Sequence, residues 1–209
     1  MKLYIIRHGE TEWNKQMKLQ GRSDIPLNEY GRELAKITAN ALADRQFDIV
    51  YSSPLIRAYE TAQILVGDRQ VEIIKDDDIT EISFGVDEGV ESKKLGSHFK
   101  NFFFAPDKYV PSEGGETYEA LCERAGRFLN NRIYPLKDTD KSVLVVAHGA
   151  MNKAIMKELK GLEIKDIWTG EFQKNCCVNE YEITKDGLRI IEEAKIYYDG
   201  ETTDYLKNS

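Results

Sequence analysis

No apolar run in this chain approaches the length that spans a bilayer, and the opening run, Leu3 to Ile6, is too brief for a signal peptide. The chain is therefore read as a cytoplasmic protein with no membrane partner. Cysteine is scarce as well. Cys122, Cys176 and Cys177 are an odd set, and neighbours in sequence rarely form an unstrained disulfide. No pair sits at zinc-ligand spacing, so buried free thiols are expected. Positive charge is in deficit: a net charge of -7 and a pI near 5.2 argue against a nucleic-acid or membrane-surface binder, because phosphate backbones and anionic lipids repel such a surface. Any anionic ligand must then meet a local basic pocket. Internal repeats and low-complexity linkers are absent too.

What is present suits one domain with a sizeable core: 41% of the 209 residues are hydrophobic and 31% charged. Leu3 to Ile6 reads as a buried strand ending in the polar turn Arg7-His8-Gly9. The segment 28–44 carries Leu34, Ile37, Ala41 and Leu42 at helical spacing behind the cap Asn28. Phe47 to Tyr51 reads as a strand, and Ser53-Pro54 opens a helix, with proline in its first turn, that ends near Gly67. A short strand at 71–74 and a helix at 116–133 follow. Ser142 to Ala147 is apolar enough for a central strand covered on both faces, with a helix at 150–159 behind it. Strands at 178–184 and 188–196 flank Lys185-Asp186-Gly187, a hairpin signal. This order predicts a three-layer α/β/α sandwich, its sheet mostly parallel with an antiparallel edge strand. The domain is placed at 1–198, with a lid-like insert at 97–115 and a polar, frayed tail at 199–209.

Chemistry concentrates at two strand ends. In an open α/β sheet ligands gather beyond the carboxyl ends of the strands, so Arg7-His8-Gly9 and Ala147-His148-Gly149 can face one another across a crevice. Two of the three histidines lie there, whereas His98 reads as a structural group. Arg7 and Arg57 can supply guanidinium forks that match phosphate oxygens in geometry and charge. Arg57 lies early in a helix entered from a strand end, where phosphate also finds backbone N–H groups and a positive dipole end. The acidic clusters Glu10, Glu12 and Asp76-Asp77-Asp78 read as solvated surface rather than metal ligands.

Six blocks in order now carry a resemblance: Arg7-His8-Gly9-Glu10-Thr11 with Asn14; Gln20-Gly21-Arg22-Ser23-Asp24 with Pro26-Leu27; Ser52-Ser53-Pro54-Leu55 through Arg57-Ala58 to Thr61-Ala62; Glu81-Ile82-Ser83-Phe84-Gly85 with Glu88-Gly89; Pro111 with Gly114-Gly115-Glu116-Thr117; and His148-Gly149. Together they resemble the histidine phosphatase, or phosphoglycerate mutase-like, superfamily. The resemblance implies that His8 is a neutral nucleophile that accepts the phosphoryl group, and that Arg7, Arg57 and His148 clamp its oxygens. It implies donors from Asn14 and the Gly149 backbone, places Gln20 and Gly21 at the substrate, and makes Glu81 the acid that protonates the leaving group. Because these groups hold the phosphate, neither a metal nor any other cofactor is expected.

The family contains mutases and phosphatases. Mutases similar to this chain carry a Tyr-Gly-Gly-type stretch after the acid block and an Arg-Arg pair further on. Here the acid block continues Val90-Glu91-Ser92-Lys93-Lys94-Leu95, and no two arginines are adjacent, which favours hydrolysis of a small phosphorylated metabolite. A phosphoglycerate mutase-type transferase stays open, as does a phosphohistidine-protein phosphatase or phospho-ligand module, and a homodimer is left open. The stretch 97–109 carries Phe99, Phe102, Phe103, Phe104 and Tyr109, with Lys94, Lys100 and Lys108 nearby. Its aromatics suit either a wall for the apolar part of a substrate or a helix face packed on the core.

Overall fold

A computed structural model describes residues 1–199, without the side chains of Ser97 and His98. The expectations for His98 and for the tail beyond Asp199 therefore lie outside the described residues. Strand β1 (Lys2–Arg7) is followed by the short helix α1 (Glu12–Lys15), α2 (Glu29–Ala41), β2 (Ile49–Ser52), α3 (Ile56–Val66) and β3 (Ile73–Lys75). After a run of single turns come α4 (Ser97–Phe104), α5 (Tyr118–Phe128), β4 (Ser142–Ala147), α6 (Gly149–Lys160), β5 (Val178–Thr184) and β6 (Gly187–Lys195).

The strands form one sheet in the order β3-β2-β4-β1-β5-β6. The first four are mutually parallel, whereas β5 runs antiparallel to β1 and β6 antiparallel to β5. The antiparallel part is thus a two-strand hairpin rather than a single edge strand. Alternation along the strands divides the core: Leu3, Ile5, Val143 and Val145 face α5 and α6, and Tyr4, Ile6, Leu144 and Val146 face α3. With both faces covered, β1 and β4 have no use for a polar face, which is why they read as unbroken apolar runs.

Local chemistry moves several boundaries. Asn28 caps α2 as expected, accepting the Gly31 N–H at 2.7 Å. Helix α3 begins at Ile56, so Pro54 lies in the turn before it and not in its first turn. The 116–133 helix starts after the Thr117 cap and ends in a π-turn at Leu129–Ile133. In the hairpin, Gly187 is already the first residue of β6 and pairs with Thr184, which leaves Lys185-Asp186 as the loop. All three cysteines are free and buried, and burial pushes the thiols of Cys122 and Cys177 up to about 11 and 12. Among the described residues no helix is long and apolar enough to cross a membrane.

Candidate active site

Three adjacent parallel strands deliver their carboxyl ends to one place. Arg7 and Ala147 are register partners on β1 and β4, so His8 and His148 follow side by side, with ring centroids 5.1 Å apart. Ser53 follows β2 and donates its N–H to Val146. A cavity lined by Arg7, His8, Arg57 and Gly149 opens over this edge.

The His8 ring is the chemically decisive group. Its Nδ1 lies 2.7 Å from the Gly9 carbonyl, and a carbonyl only accepts, so Nδ1 carries the proton and a neutral ring keeps its lone pair on Nε2. Burial first, then the charges of Arg57 and Arg7, hold the His8 pKa well below the ordinary imidazole value, against the pull of the Gly9 bond. The cationic clamp therefore assists, but burial contributes more.

Both arginines are fixed by backbone oxygens. Arg57, fully buried in the first turn of α3, gives Nη1 to Ser23 O and Nη2 to Gly21 O, each at 2.7 Å. Burial lowers its pKa to about 10, with Glu81 the leading charge that opposes the shift, so it remains cationic at neutral pH. Arg7 donates Nη1 to Gln173 O at 2.5 Å and lies over the Phe172 ring. Both Nε–H groups are buried without a protein acceptor, and both residues line the cavity. The start of α3 is not open to an anion as its sequence suggested, because the Asp24 carboxylate takes the Ile56 N–H at 2.7 Å.

Glu81 occupies the other helix start. Its Oε1 accepts from Ile82 N and Met151 N, each at 3.0 Å, and its Oε2 accepts from Ala150 N at 3.2 Å. The residue before α6, His148, makes no side-chain cap bond, so a glutamate distant in sequence caps this helix instead. Gly149 separates Glu81 from Arg7: a methyl group there would lie 3.7 Å from Arg7 Nε and 3.8 Å from Glu81 Oε2. These are ordinary contacts, so Gly149→Ala is expected to fold normally while occupying the space between cation and carboxylate. We expect its inhibition constant for inorganic phosphate to rise by about 10- to 100-fold with an unchanged melting temperature, since a misplacement of one ångström costs about 10²-fold. Unaltered phosphate affinity would contradict this placement.

Asn14 completes a capping box with Thr11 and lines the cavity, its Oδ1 accepting from Thr11 N at 3.1 Å. Gln20 and Gly21 line it too. Of the residues given a catalytic or substrate-binding role from sequence, only His148 is not in the lining. It is fully buried beside His8, with Nε2 2.7 Å from Ser53 Oγ and Nδ1 without a protein partner, and burial holds its pKa well below the ordinary value.

The cavity is also lined by the aromatics Phe84, Phe99, Phe102, Phe103, Trp168 and Phe172, the last in contact with Arg7. Both sequence readings of the aromatics hold at once, because Phe99 and Phe102 are core residues that also face the cavity, while Phe104 is exposed. Trp168 donates to Tyr118 Oη, which donates to the Phe102 carbonyl, so the polar tips point away from the cavity. Lys94, Lys100 and Lys108 take no part in its lining. Sequence reasoning missed Trp168, Phe172 and Gln173, which lie in an irregular stretch with no periodic or motif signal. Phe84 stood inside a quoted block and was passed over. Among the described residues, no group of three or more His, Cys, Asp or Glu is placed to hold a metal.

Comparison with known proteins places this arrangement. The family model described as "Histidine phosphatase superfamily (branch 1)" matches residues 3–194. The uncharacterized phosphatase PhoE of Bacillus subtilis is 35% identical over 89% of this chain and 90% of its own length. Phosphoserine phosphatase 1 of Hydrogenobacter thermophilus is 34% identical over 81% of each. Phosphoglycerate mutases also occur among the relatives. Among solved structures, a histidine-to-alanine mutant of Entamoeba histolytica phosphoserine phosphatase, in complex with phosphoserine, superposes with a TM-score of 0.80 at 29% identity, covering 93% of this chain and 96% of that one. With a family model over nearly the whole chain and relatives at 35% and 34% identity across most of their length, the chain belongs to the histidine phosphatase superfamily.

Proposed function

We propose that this enzyme hydrolyses small phosphomonoesters through a covalent phosphohistidine on His8, without a metal ion. The observation that carries the reading is the Nδ1–H bond to the Gly9 carbonyl, which leaves Nε2 as the basic atom beside two buried arginines. In the first step Nε2 attacks phosphorus, the ester P–O bond breaks, and Glu81 gives a proton to the departing oxygen. In the second step water attacks phosphorus, Glu81 takes a proton back, and the P–N bond breaks to release phosphate. Arg7 and Arg57 stabilise the charge on the equatorial oxygens throughout, the role a Lewis acid would otherwise fill. Asn14 and the Gly149 backbone add donors in this scheme, and His148 joins the two arginines in the clamp, its Nδ1 being buried without a protein partner. Relatives named as phosphatases support hydrolysis, as does the lack of the mutase-type tyrosine and arginine pair in this sequence.

The aromatic lining also indicates the kind of alcohol released. Arg7, Arg57 and Glu81, the charged groups among the described lining residues, are assigned to the phosphate, so a carboxylate or ammonium elsewhere on the substrate finds no charged partner in a lining that is otherwise largely aromatic. Stripping water from an unpaired charge is costly, whereas a ring packs favourably there. We expect kcat/KM for 2-phenylethyl phosphate to exceed that for phosphoserine or 3-phosphoglycerate by at least about tenfold, with no loss when a chelator is added. Preference for phosphoserine would refute the apolar reading, and inactivation by chelation would refute the metal-free one. With 3-phosphoglycerate and its bisphosphate primer, isomerisation faster than phosphate release would make the enzyme a mutase.

A further inference from the structure

The block Gly114-Gly115-Glu116-Thr117 lies outside the cavity, and the mechanism above gives it no task. Its surroundings supply one. Glu116 holds Arg124 of α5 in a two-point bridge, Nε to Oε1 and Nη2 to Oε2, both at 2.8 Å and both side chains largely buried. The same guanidinium gives Nη1 to the carbonyls of Asp78 and Thr80, at 2.7 and 2.9 Å, and its Nη2 reaches the carbonyl of Glu81 at 3.5 Å. Arg22, paired with Glu116 at 3.3 Å, approaches that same Glu81 carbonyl at 3.4 Å.

The Glu116 backbone ties in as well. Its N–H donates to Ser83 O at 2.8 Å, and Phe84 bridges to Gly115. Gly85, at φ +57°, is pressed so closely on this strip that a Cβ would lie 2.0 Å from the Glu113 carbonyl oxygen. The loop that carries Glu81 is therefore gripped on its backbone by Arg124 and Glu116, while its carboxylate is gripped by the start of α6.

We propose that Arg124 and Glu116 are positioning residues for Glu81, holding its Oε2 in line with the leaving oxygen. The inference rests on Glu81 being the acid of the reaction proposed above. Lysine at 124 keeps the charge but cannot fork across Glu116 while reaching three carbonyls, so the loop would settle elsewhere. A shift of about one ångström is enough to lose about 10²-fold, and only for esters whose leaving group needs a proton.

The test is a series of phosphomonoesters from p-nitrophenyl phosphate to simple alkyl phosphates, measured as kcat/KM, which reports on steps up to formation of the phosphoenzyme. Wild type, Arg124→Lys, Glu116→Gln and the reference Glu81→Gln are compared, with thermal unfolding to score the folded fraction. The expected result is a fall of about 10- to 100-fold on alkyl esters and under about threefold on p-nitrophenyl phosphate for Arg124→Lys, with Glu116→Gln in the same direction. If Glu81→Gln shows this leaving-group dependence while Arg124→Lys and Glu116→Gln fall equally on every ester, or not at all, the positioning role is overturned and the acid survives. If Glu81→Gln itself falls equally on every ester, the acid reading fails and this inference falls with it.

Discussion

His8→Ala is expected to lower turnover by about 10⁴-fold or more, the scale seen when a covalent nucleophile is removed, while leaving phosphate binding largely in place. The two effects separate because different groups produce them. Nε2 of His8 is the atom that bonds to phosphorus, whereas the anion is held by Arg7 and Arg57, whose own anchors are the carbonyls of Gln173, Ser23 and Gly21. The His8 ring has its own anchor, the Gly9 carbonyl. Inhibition by inorganic phosphate or retention on a phosphate analogue, measured beside the rate, distinguishes a lost nucleophile from a lost site. A variant with a tenth of the wild-type turnover would show that water can attack the ester directly and that His8 is not the acceptor.

The second large effect concerns Arg57. A lysine there retains charge, but its single ammonium cannot bridge Ser23 O and Gly21 O and also face the phosphoryl oxygens, so kcat/KM should fall by about 10³-fold. Stability should fall with it. A buried carbonyl that loses its donor costs about 1–3 kcal/mol, and Arg57 serves two of them from a position with no exposed surface. The coupled loss of activity and melting temperature is the signature, because Arg57 both ties the 21–23 turn to α3 and lines the cavity beside His8. Arg57→Lys with a rate within tenfold of wild type would contradict the clamp, whatever its stability.

What could be read from sequence follows from how local each cause is. The apolar runs 3–6 and 142–147 fix β1 and β4 because a strand covered on both faces leaves no position polar, and parallel neighbours must deliver their following residues to one edge. His8, Arg7 and Glu81 were legible through motifs. Three features were not, and each depends on a partner distant in the chain. Helix α3 starts at Ile56 because the carboxylate of Asp24 meets its first N–H there, and this also closes the helix end that looked open to phosphate. His148 is fixed beside His8 by Ser53, at the end of a third strand, which holds its Nε2. Trp168, Phe172 and Gln173 reach the cavity through a loop anchored by Arg7 and by the reciprocal amide pair of Gln173 and Asn179, and no spacing in sequence announces such a pair.

The central claim is the bond between phosphorus and His8 Nε2. Mixing the enzyme with p-nitrophenyl phosphate, quenching in alkali after a single turnover and mapping the peptides by mass spectrometry tests it directly, since the phosphoramidate survives base and is lost in acid. The account predicts one phosphoryl group on the peptide that carries His8, formed without added metal, absent in His8→Ala and longer-lived in Glu81→Gln. Steady turnover with no phosphoenzyme at any quench time, or a phosphoryl group on another residue, would contradict it.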